Sequence, residues 1–304
     1  MKNIKTIVES QLNTTVINVV PVGNGHTASC YCVDIIDSPF KLVVKTSTHY
    51  ELTCEEKNMN DYLRENVNFK IPKPYFLTTK NGISYLGMEF IGGVSGRVIK
   101  KNQIKDKKHL ANNIIDCFIN MQSVHSNKFG PYEDPSFSSW KEYYKDFFNK
   151  IYDFTLNKYD TKQVNKRIMK ALNLIKINFD EIFDNTENTP CLSHGDFWTP
   201  NMIFNTEKSE IAGIIDPFNT RFVEPEYELF CLTLGLGKKL RLYKLYKKRV
   251  NVSKYCDLKV ELYALCNELD WWMQLGEIDT TNYIKMRAKK LIKQVKKNKL
   301  KRTV

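Results

Sequence analysis

LSHGDFWTPNMIF, at residues 192–204, and IAGIIDP, at residues 211–217, form the most informative part of this chain. The short apolar runs MIF and AGII flank a polar turn, a pattern that predicts a β-hairpin. Asp196 and Asn201 stand five residues apart just before the first strand, so one tight loop can direct both side chains to one place. Asp216 follows the second strand. The hairpin is therefore expected to bring three oxygen-bearing side chains together.

This set of side chains is typical of phosphoryl transfer. The transferred group carries spread negative charge, so a magnesium ion must bridge the phosphates, and carboxylate or amide oxygens must hold the metal. A further carboxylate must orient the attacking hydroxyl and accept its proton. Asp196, Asn201 and Asp216 can supply both functions.

The HGD-x4-N…IDP arrangement resembles the aminoglycoside phosphotransferase superfamily, which also contains choline kinases, methylthioribose kinases and fructosamine kinases. The resemblance implies that Asp196 is the catalytic base and that Asn201 and Asp216 bind Mg2+. His194, two residues before Asp196, could itself be a base. The resemblance instead favours a structural role for His194, in which it braces the loop.

The remaining pattern predicts an α+β chain. Short β-rich runs separated by turns fill the first ninety residues, with one helix over residues 50–65, and long helical patterns begin near residue 103. We expect a bilobal protein-kinase-like fold. Residues 1–91 would form a small antiparallel-sheet, nucleotide-binding N-lobe, and residues 92–304 a larger, mostly helical C-lobe, hinged near Gly92.

Lys45 closes the strand KLVVK and is the predicted phosphate-binding cation. The resemblance suggests that it contacts the α- and β-phosphates of ATP. A lysine in that position needs a counter-charge, which the following helix offers in Glu55 and Glu56. The string EKNMNDYL resembles the family's helix and favours Glu56.

Two backbone segments are expected to contact the nucleotide. Gly23 and Gly25 lie between two strands, where glycine lets the backbone approach a phosphate, although the same pattern is as often a hairpin turn. The resemblance alone assigns adenine to the backbone of Met88, Glu89 and Ile91.

The acceptor is predicted to be a hydroxyl of a small molecule. Only nine residues separate Asp216 from Glu226, and no A-P-E segment follows, whereas protein kinases dock peptides with a longer segment. The expected activity is that of an aminoglycoside-phosphotransferase-like enzyme. A fructosamine (ketosamine) kinase is the alternative, since HGDFW, EPEYEL at residues 224–229 and the helix ELYALCNELDWWMQLG resemble those enzymes.

Four side chains of that last helix are candidates for acceptor binding. Aminoglycoside kinases hold polycationic sugars with acidic residues, and the acids here stand beside two tryptophans. A solvated helix face for the acids and core packing for the tryptophans are the competing interpretations. The four candidates are Glu268, Asp270, Trp271 and Trp272.

Charge and cysteine content limit other functions. The formal charge is +12, but residues 285–304 hold ten cations and residues 238–250 hold seven, and without these seventeen the charge is −5. No basic face for nucleic acid is therefore expected. The basic C-terminal helix could lie on an anionic membrane, but packing on the body is favoured.

A pseudokinase, or an adaptor acting through this basic tail, remains the alternative from another functional class. Isolated cysteines and the lack of a signal-peptide pattern favour a cytoplasmic protein.

Overall fold

The computed structural model describes residues 2–24, 28–158, 166–184, 189–217, 219–276 and 281–301. The chain forms two compact units, Met1–Met121 with His194–Thr220, and Gln122–Ser193 with Arg221–Val304. The segment that carries the predicted catalytic residues therefore folds with the N-terminal part of the chain. The predicted division into an N-lobe of residues 1–91 and a C-lobe of residues 92–304, with a hinge near Gly92, stays a prediction.

The first unit is built on a five-stranded antiparallel sheet with the strand order β1-β2-β3-β5-β4. Alternating residues of the central strands, including Val33 and Val44, face the N-terminal helix and are fully buried with its Val8. The elements are α1 (Lys2–Leu12), β1 (Val16–Asn24), β2 (Ser29–Ile35), β3 (Lys41–Ser47), β4 (Pro74–Lys80) and β5 (Ile83–Glu89).

The same unit contains a second, three-stranded sheet with the order β10-β9-β6. Its strands are β6 (Val94–Ser95), β9 (Met202–Asn205) and β10 (Glu210–Ile214). Strands β9 and β10 form the predicted hairpin, which is confirmed. Two helices complete the unit, α2 (Tyr50–Asn66) and α3 (Lys107–Gln122), whose last residue belongs to the second unit.

The second unit is mostly helical and holds one small sheet with the order β7-β11-β8. Its strands are β7 (Gly130–Pro131), β8 (Cys191–Ser193) and β11 (Arg221–Val223). Its helices are α4 (Trp140–Asn157), α5 (Lys166–Phe183), α6 (Gly235–Leu240), α7 (Leu242–Arg249), α8 (Cys256–Leu275) and α9 (Thr281–Lys297). The predicted α+β composition, an antiparallel N-terminal sheet followed by a helical C-terminal part, is confirmed.

Helix α9 carries the basic C-terminal pattern, and its apolar stripe is buried in the second unit. Ile284, Ala288, Leu291 and Val295 are all fully buried, and α9 packs on α5 and α8. The apolar residues that could have entered a membrane are thus buried inside the second unit. This agrees with the favoured interpretation, in which the basic helix packs on the body of the protein. Within the described residues, no helix has the length and apolar character needed to cross a bilayer.

A buried charge network lies at the centre of the second unit. Lys259 binds Glu224 at 2.8 Å and Glu226 at 3.2 Å, and all three side chains are at most 8% exposed. Tyr263 donates to Glu224, and the Trp140 indole donates to Tyr263 at 2.9 Å. Glu224 and Glu226, the first two acids of EPEYEL, are therefore structural, because each is buried and shares the Lys259 ammonium as its counter-charge.

Candidate active site

The loop that carries Asp196 is fixed by its neighbours in sequence. Gly195 has φ +84°, and a Cβ there would lie 2.2 Å from the Asn219 carbonyl oxygen, so only glycine fits. The Phe197 ring is fully buried and packs edge-to-face on Phe118 of α3, with 5.0 Å between ring centroids. The loop is therefore anchored on both sides of Asp196.

Asn201 binds Asp196 directly. Its Nδ2 donates to Asp196 Oδ2 at 2.6 Å and to the Asp196 carbonyl at 3.1 Å. This orientation leaves Asn201 Oδ1 buried, with no hydrogen-bond partner among the described residues. An unsatisfied buried amide oxygen costs free energy unless a donor or a cation occupies the position.

The hairpin positions Asp216 next to Asn201. Asn201 immediately precedes β9, Asp216 follows β10, and the Ile215 N–H donates to the Asn201 carbonyl at 2.9 Å. Asp216 has φ +66°, a left-handed conformation that costs a non-glycine residue about 1–3 kcal/mol and is concentrated at functional sites. The hairpin therefore brings Asn201 and Asp216 close together, as its sequence pattern predicted.

Lys45 joins the N-terminal sheet to this group. Its Nζ lies 2.5 Å from Glu56 Oε2 and 2.7 Å from Asp216 Oδ1. Although burial alone would lower the pKa of Lys45, these two carboxylates hold that pKa above its usual range, so the ammonium stays charged. The partner is Glu56, as predicted, whereas the Glu55 side chain lies outside what the structure describes.

The two aspartates have pKa values that are shifted in opposite directions. Burial raises the pKa of Asp196 to about 7, against the opposing effect of its hydrogen bond from Asn201. Burial also acts to raise the pKa of Asp216, but the Lys45 ammonium overcomes it and holds that pKa below its ordinary value. Asp216 is thus ionised at neutral pH and suited to a cation, while Asp196 can accept a proton near neutral pH.

His194 is a poor candidate for the base. It is fully buried, and burial lowers its pKa to about 4. An imidazole that resists protonation to this degree is a weak proton acceptor. These properties support the structural role that the sequence pattern favoured.

The predicted nucleotide-binding backbone lies only partly within the described structure. Gly23 is near the end of β1 with open space around it, and Gly25 is outside the described residues. Met88 is buried opposite Val43 of β3, and the Glu89 carboxylate binds Lys70 at 2.6 Å.

The residues of this segment differ in whether their backbone groups already form hydrogen bonds. The Glu89 N–H already donates to the Lys73 carbonyl at 2.8 Å. Ile91 takes part in none of the backbone hydrogen bonds found among the described residues outside helices and strands. A contact between this segment and adenine stays a prediction.

The four acceptor-binding candidates lie on α8 in the second unit. Trp272 is 4% exposed and packs edge-to-face on Phe154, so its ring serves the core. Trp271, Glu268 and Asp270 are half-buried. Burial raises the pKa of Asp270, which accepts a hydrogen bond from Gln274 at 2.8 Å. Their role toward an acceptor stays a prediction.

One residue beside Lys45 escaped the sequence interpretation. Cys30 of β2 pairs in register with Lys45, and burial raises the pKa of its thiol to about 11. The thiol is therefore protonated and part of the wall around Lys45. Recognising it from sequence would have required the β2–β3 register, which only the pairing reveals.

The residues present fit a divalent cation that is shared with a nucleotide. The described residues hold no group of three or more His, Cys, Asp or Glu side chains able to hold a metal alone. Mg2+ typically takes one or two carboxylates and completes its shell with phosphate oxygens and water. The unpartnered Asn201 Oδ1 and the ionised Asp216 match that requirement.

Solved structures with this fold include phosphotransferases. Aminoglycoside phosphotransferase APH(4)-Ia, solved with ADP and hygromycin B, has a TM-score of 0.74 at 14% identity over 96% of this chain and 98% of its own. A putative fructosamine-3-kinase from Haemophilus somnus has a TM-score of 0.71 at 13% identity, over 95% of this chain and 96% of its own. These likenesses confirm the protein-kinase-like fold.

Sequence comparison identifies the family. A probable ketoamine kinase of Staphylococcus aureus is 23% identical over 272 residues, 86% of this chain and 88% of that protein. A ketosamine-3-kinase of Mus musculus is 22% identical over 143 residues, 47% of this chain and 45% of that protein. The fructosamine kinase family model matches residues 1–298. The chain therefore belongs to the fructosamine kinase family and is a small-molecule kinase.

Proposed function

We propose that this enzyme transfers the γ-phosphoryl group of ATP, with Mg2+, to a hydroxyl of a ketosamine, a sugar joined to an amine. The family match over nearly the whole chain supports the acceptor class. The observation that carries the proposal is the convergence of Lys45, Asp196, Asn201 and Asp216 within one compact unit.

Asp196 acts as the base in this proposal. Its carboxylate orients the acceptor hydroxyl and takes the proton as the oxygen attacks phosphorus. The raised pKa of about 7 suits this step, because a base works best when its pKa lies near the operating pH. Asn201 keeps the carboxylate in place through its 2.6 Å hydrogen bond.

Lys45 and Asp216 change partners when the nucleotide binds. With nucleotide bound, Lys45 would donate to the α- and β-phosphates while Glu56 keeps it oriented, and Asp216 with the Asn201 oxygen would hold the cation. Bound magnesium supplies positive charge to the phosphates during transfer. Gly23 and Gly25 cover the phosphates, and the backbone of Met88, Glu89 and Ile91 receives adenine.

A coupled assay of ADP release tests the acceptor. The purified chain is given ATP and Mg2+ with a fructosyl amino acid, an aminoglycoside, choline or a free sugar. Among these acceptors, we expect release above background only with the ketosamine, and release at least about 100-fold slower from the Asp196→Asn variant. Release only with aminoglycosides would replace the acceptor class. Nucleotide binding without turnover on any acceptor would favour the pseudokinase alternative.

A further inference from the structure

The turn after β6 is pressed against the loop that carries Asp196 and Asn201. The Gly96 N–H donates to the Met202 carbonyl at 2.8 Å. A Cβ on Gly96 would lie 1.7 Å from the Thr199 carbonyl oxygen, which sits between the two site residues, so no side chain fits there. The next residue, Arg97, is therefore held at a fixed place beside the 196–201 loop.

The Arg97 guanidinium acts electrostatically on the candidate site residues, yet it is not engaged in a hydrogen bond or an ion pair with any described residue. It lies within electrostatic range of the Asp196 and Asp216 carboxylates and of the Cys30 thiol opposite Lys45. The side chain is exposed, and its guanidinium makes no hydrogen bond or ion pair with any residue in the described part of the chain. Its backbone N–H donates to Ser95 Oγ at 3.3 Å, which further fixes the turn.

The nearby carboxylates are already paired with other groups. Asp216 binds Lys45, and Asp196 accepts the Asn201 amide. A guanidinium presents a planar fork of donors that matches phosphate oxygens. In phosphoryl transfer, negative charge spreads over three oxygens of the transferred group and must be stabilised by positive groups around it.

We propose that Arg97 binds the transferred phosphoryl group and stabilises its charge during transfer. The inference deepens the proposed function and rests on it. Lys45 acts on the phosphates that stay with the nucleotide, whereas Arg97 acts on the group that is transferred to the acceptor. Arg97 is then a catalytic residue supplied by the turn after β6.

Nucleotide binding tests this assignment without turnover. Dissociation constants for ADP and for a non-hydrolysable ATP analogue are measured with Mg2+ for the wild type, Arg97→Ala, Arg97→Lys and Lys101→Ala. Lys101, an exposed cation four residues further on, is the matched control for loss of one charge. We expect Arg97→Ala to weaken the analogue about tenfold or more while ADP binding is unchanged.

Kinetics then separate the roles that Arg97 could have. With the acceptor found by the ADP-release assay, Arg97→Ala should lower kcat about 100-fold with little change in the acceptor KM. Arg97→Lys should recover part of the loss, and Lys101→Ala should match the wild type. A raised acceptor KM with normal kcat would overturn the proposal and assign Arg97 to an anionic group of the acceptor.

Failure of the inference differs from failure of the proposed function. Equal effects of Arg97→Ala on ADP and on the ATP analogue, or no effect on either, overturn the role of Arg97 while the kinase function stands. A wild type that binds both nucleotides but phosphorylates no ketosamine overturns the acceptor class, and the difference between ADP and analogue binding still decides the role of Arg97.

Discussion

Lys45 and Asp216 stand 171 positions apart in the sequence, and their side chains meet at 2.7 Å. Lys45 lies in strand β3 of the N-terminal sheet, and Asp216 follows the hairpin of the 194–220 segment. Each neutralises the other without a nucleotide. When a nucleotide binds, a phosphate can replace Asp216 as the partner of Lys45, and a cation can replace Lys45 as the partner of Asp216. The ion pair therefore keeps both binding groups charged and in position.

Replacing the proposed base should strongly lower turnover without unfolding the protein. Asp196→Asn keeps the shape of the side chain but cannot accept the proton, so we expect kcat to fall by about 10²–10⁴. ADP affinity and the melting temperature should stay near those of the wild type. Asp61→Asn, an exposed acid on α2, is the control. Near-normal kcat in Asp196→Asn would remove Asp196 from the chemistry.

Activity should rise with pH through neutrality. Asp196 must be ionised to act as a base, and its pKa is about 7 rather than the ordinary value near 4. The free enzyme therefore gains active base as the pH increases, so log kcat/KM should climb with a slope of about 1 and level off above about 7. More Mg2+ should move the midpoint lower, because a nearby cation favours the carboxylate. A profile that is flat or falling through pH 7 would contradict this assignment.

The buried Lys259–Glu224 pair should be sensitive to loss of one partner. Lys259→Met leaves Glu224 buried and uncompensated, which we expect to cost about 3–5 kcal/mol in urea unfolding. Adding Glu224→Gln should restore part of the loss, because the uncompensated Glu224 charge is then removed, while Glu226 keeps its hydrogen bonds from Ser253.

The control for this pair is Lys290→Met. Lys290 is 48% exposed and 3.5 Å from Glu261, so its removal should cost no more than about 1 kcal/mol. If Lys259→Met were as mild as this control, the network would not be structural.

Helix α9 should behave as core. Leu291 is fully buried, so Leu291→Ala should lower the free energy of unfolding by about 2–5 kcal/mol. Lys293→Ala, on the exposed side of the same helix, should leave it within about 0.5 kcal/mol. Equal stability of the two variants would mean that the helix is an appendage.

Much of the structure could be predicted from local patterns in the sequence. The apolar runs before Asn201 and before Asp216 predicted the hairpin and the meeting of these residues, since a hairpin forces its two ends together. The pairing of Lys45 with Glu56 was expected from the resemblance of the string EKNMNDYL to the family's helix, and the structure contains it. Helix α4 likewise falls in the region after residue 103 where long helical patterns were expected, because its apolar face repeats at helical spacing.

Other features depend on pairing that sequence does not reveal. Strand β6 is only two residues long, so its contact with β9, which positions Arg97, has no periodic signal. The burial of Lys259 reverses the usual expectation for lysine and becomes understandable only with Glu224 beside it. The basic pattern of residues 285–304 did not distinguish a packed helix from a surface-bound one until the burial of Leu291 was known.

The most direct test of the central claim is Mn2+ binding, used in place of Mg2+ and followed by electron paramagnetic resonance with a non-hydrolysable ATP analogue. The wild type should bind Mn2+ with the nucleotide, and Asp216→Asn and Asn201→Ala should each weaken it by about 100-fold or more, since loss of even an outer partner of a metal ligand costs ~10–100-fold. Unchanged Mn2+ affinity in both variants would show that these two residues hold no cation and would contradict the account.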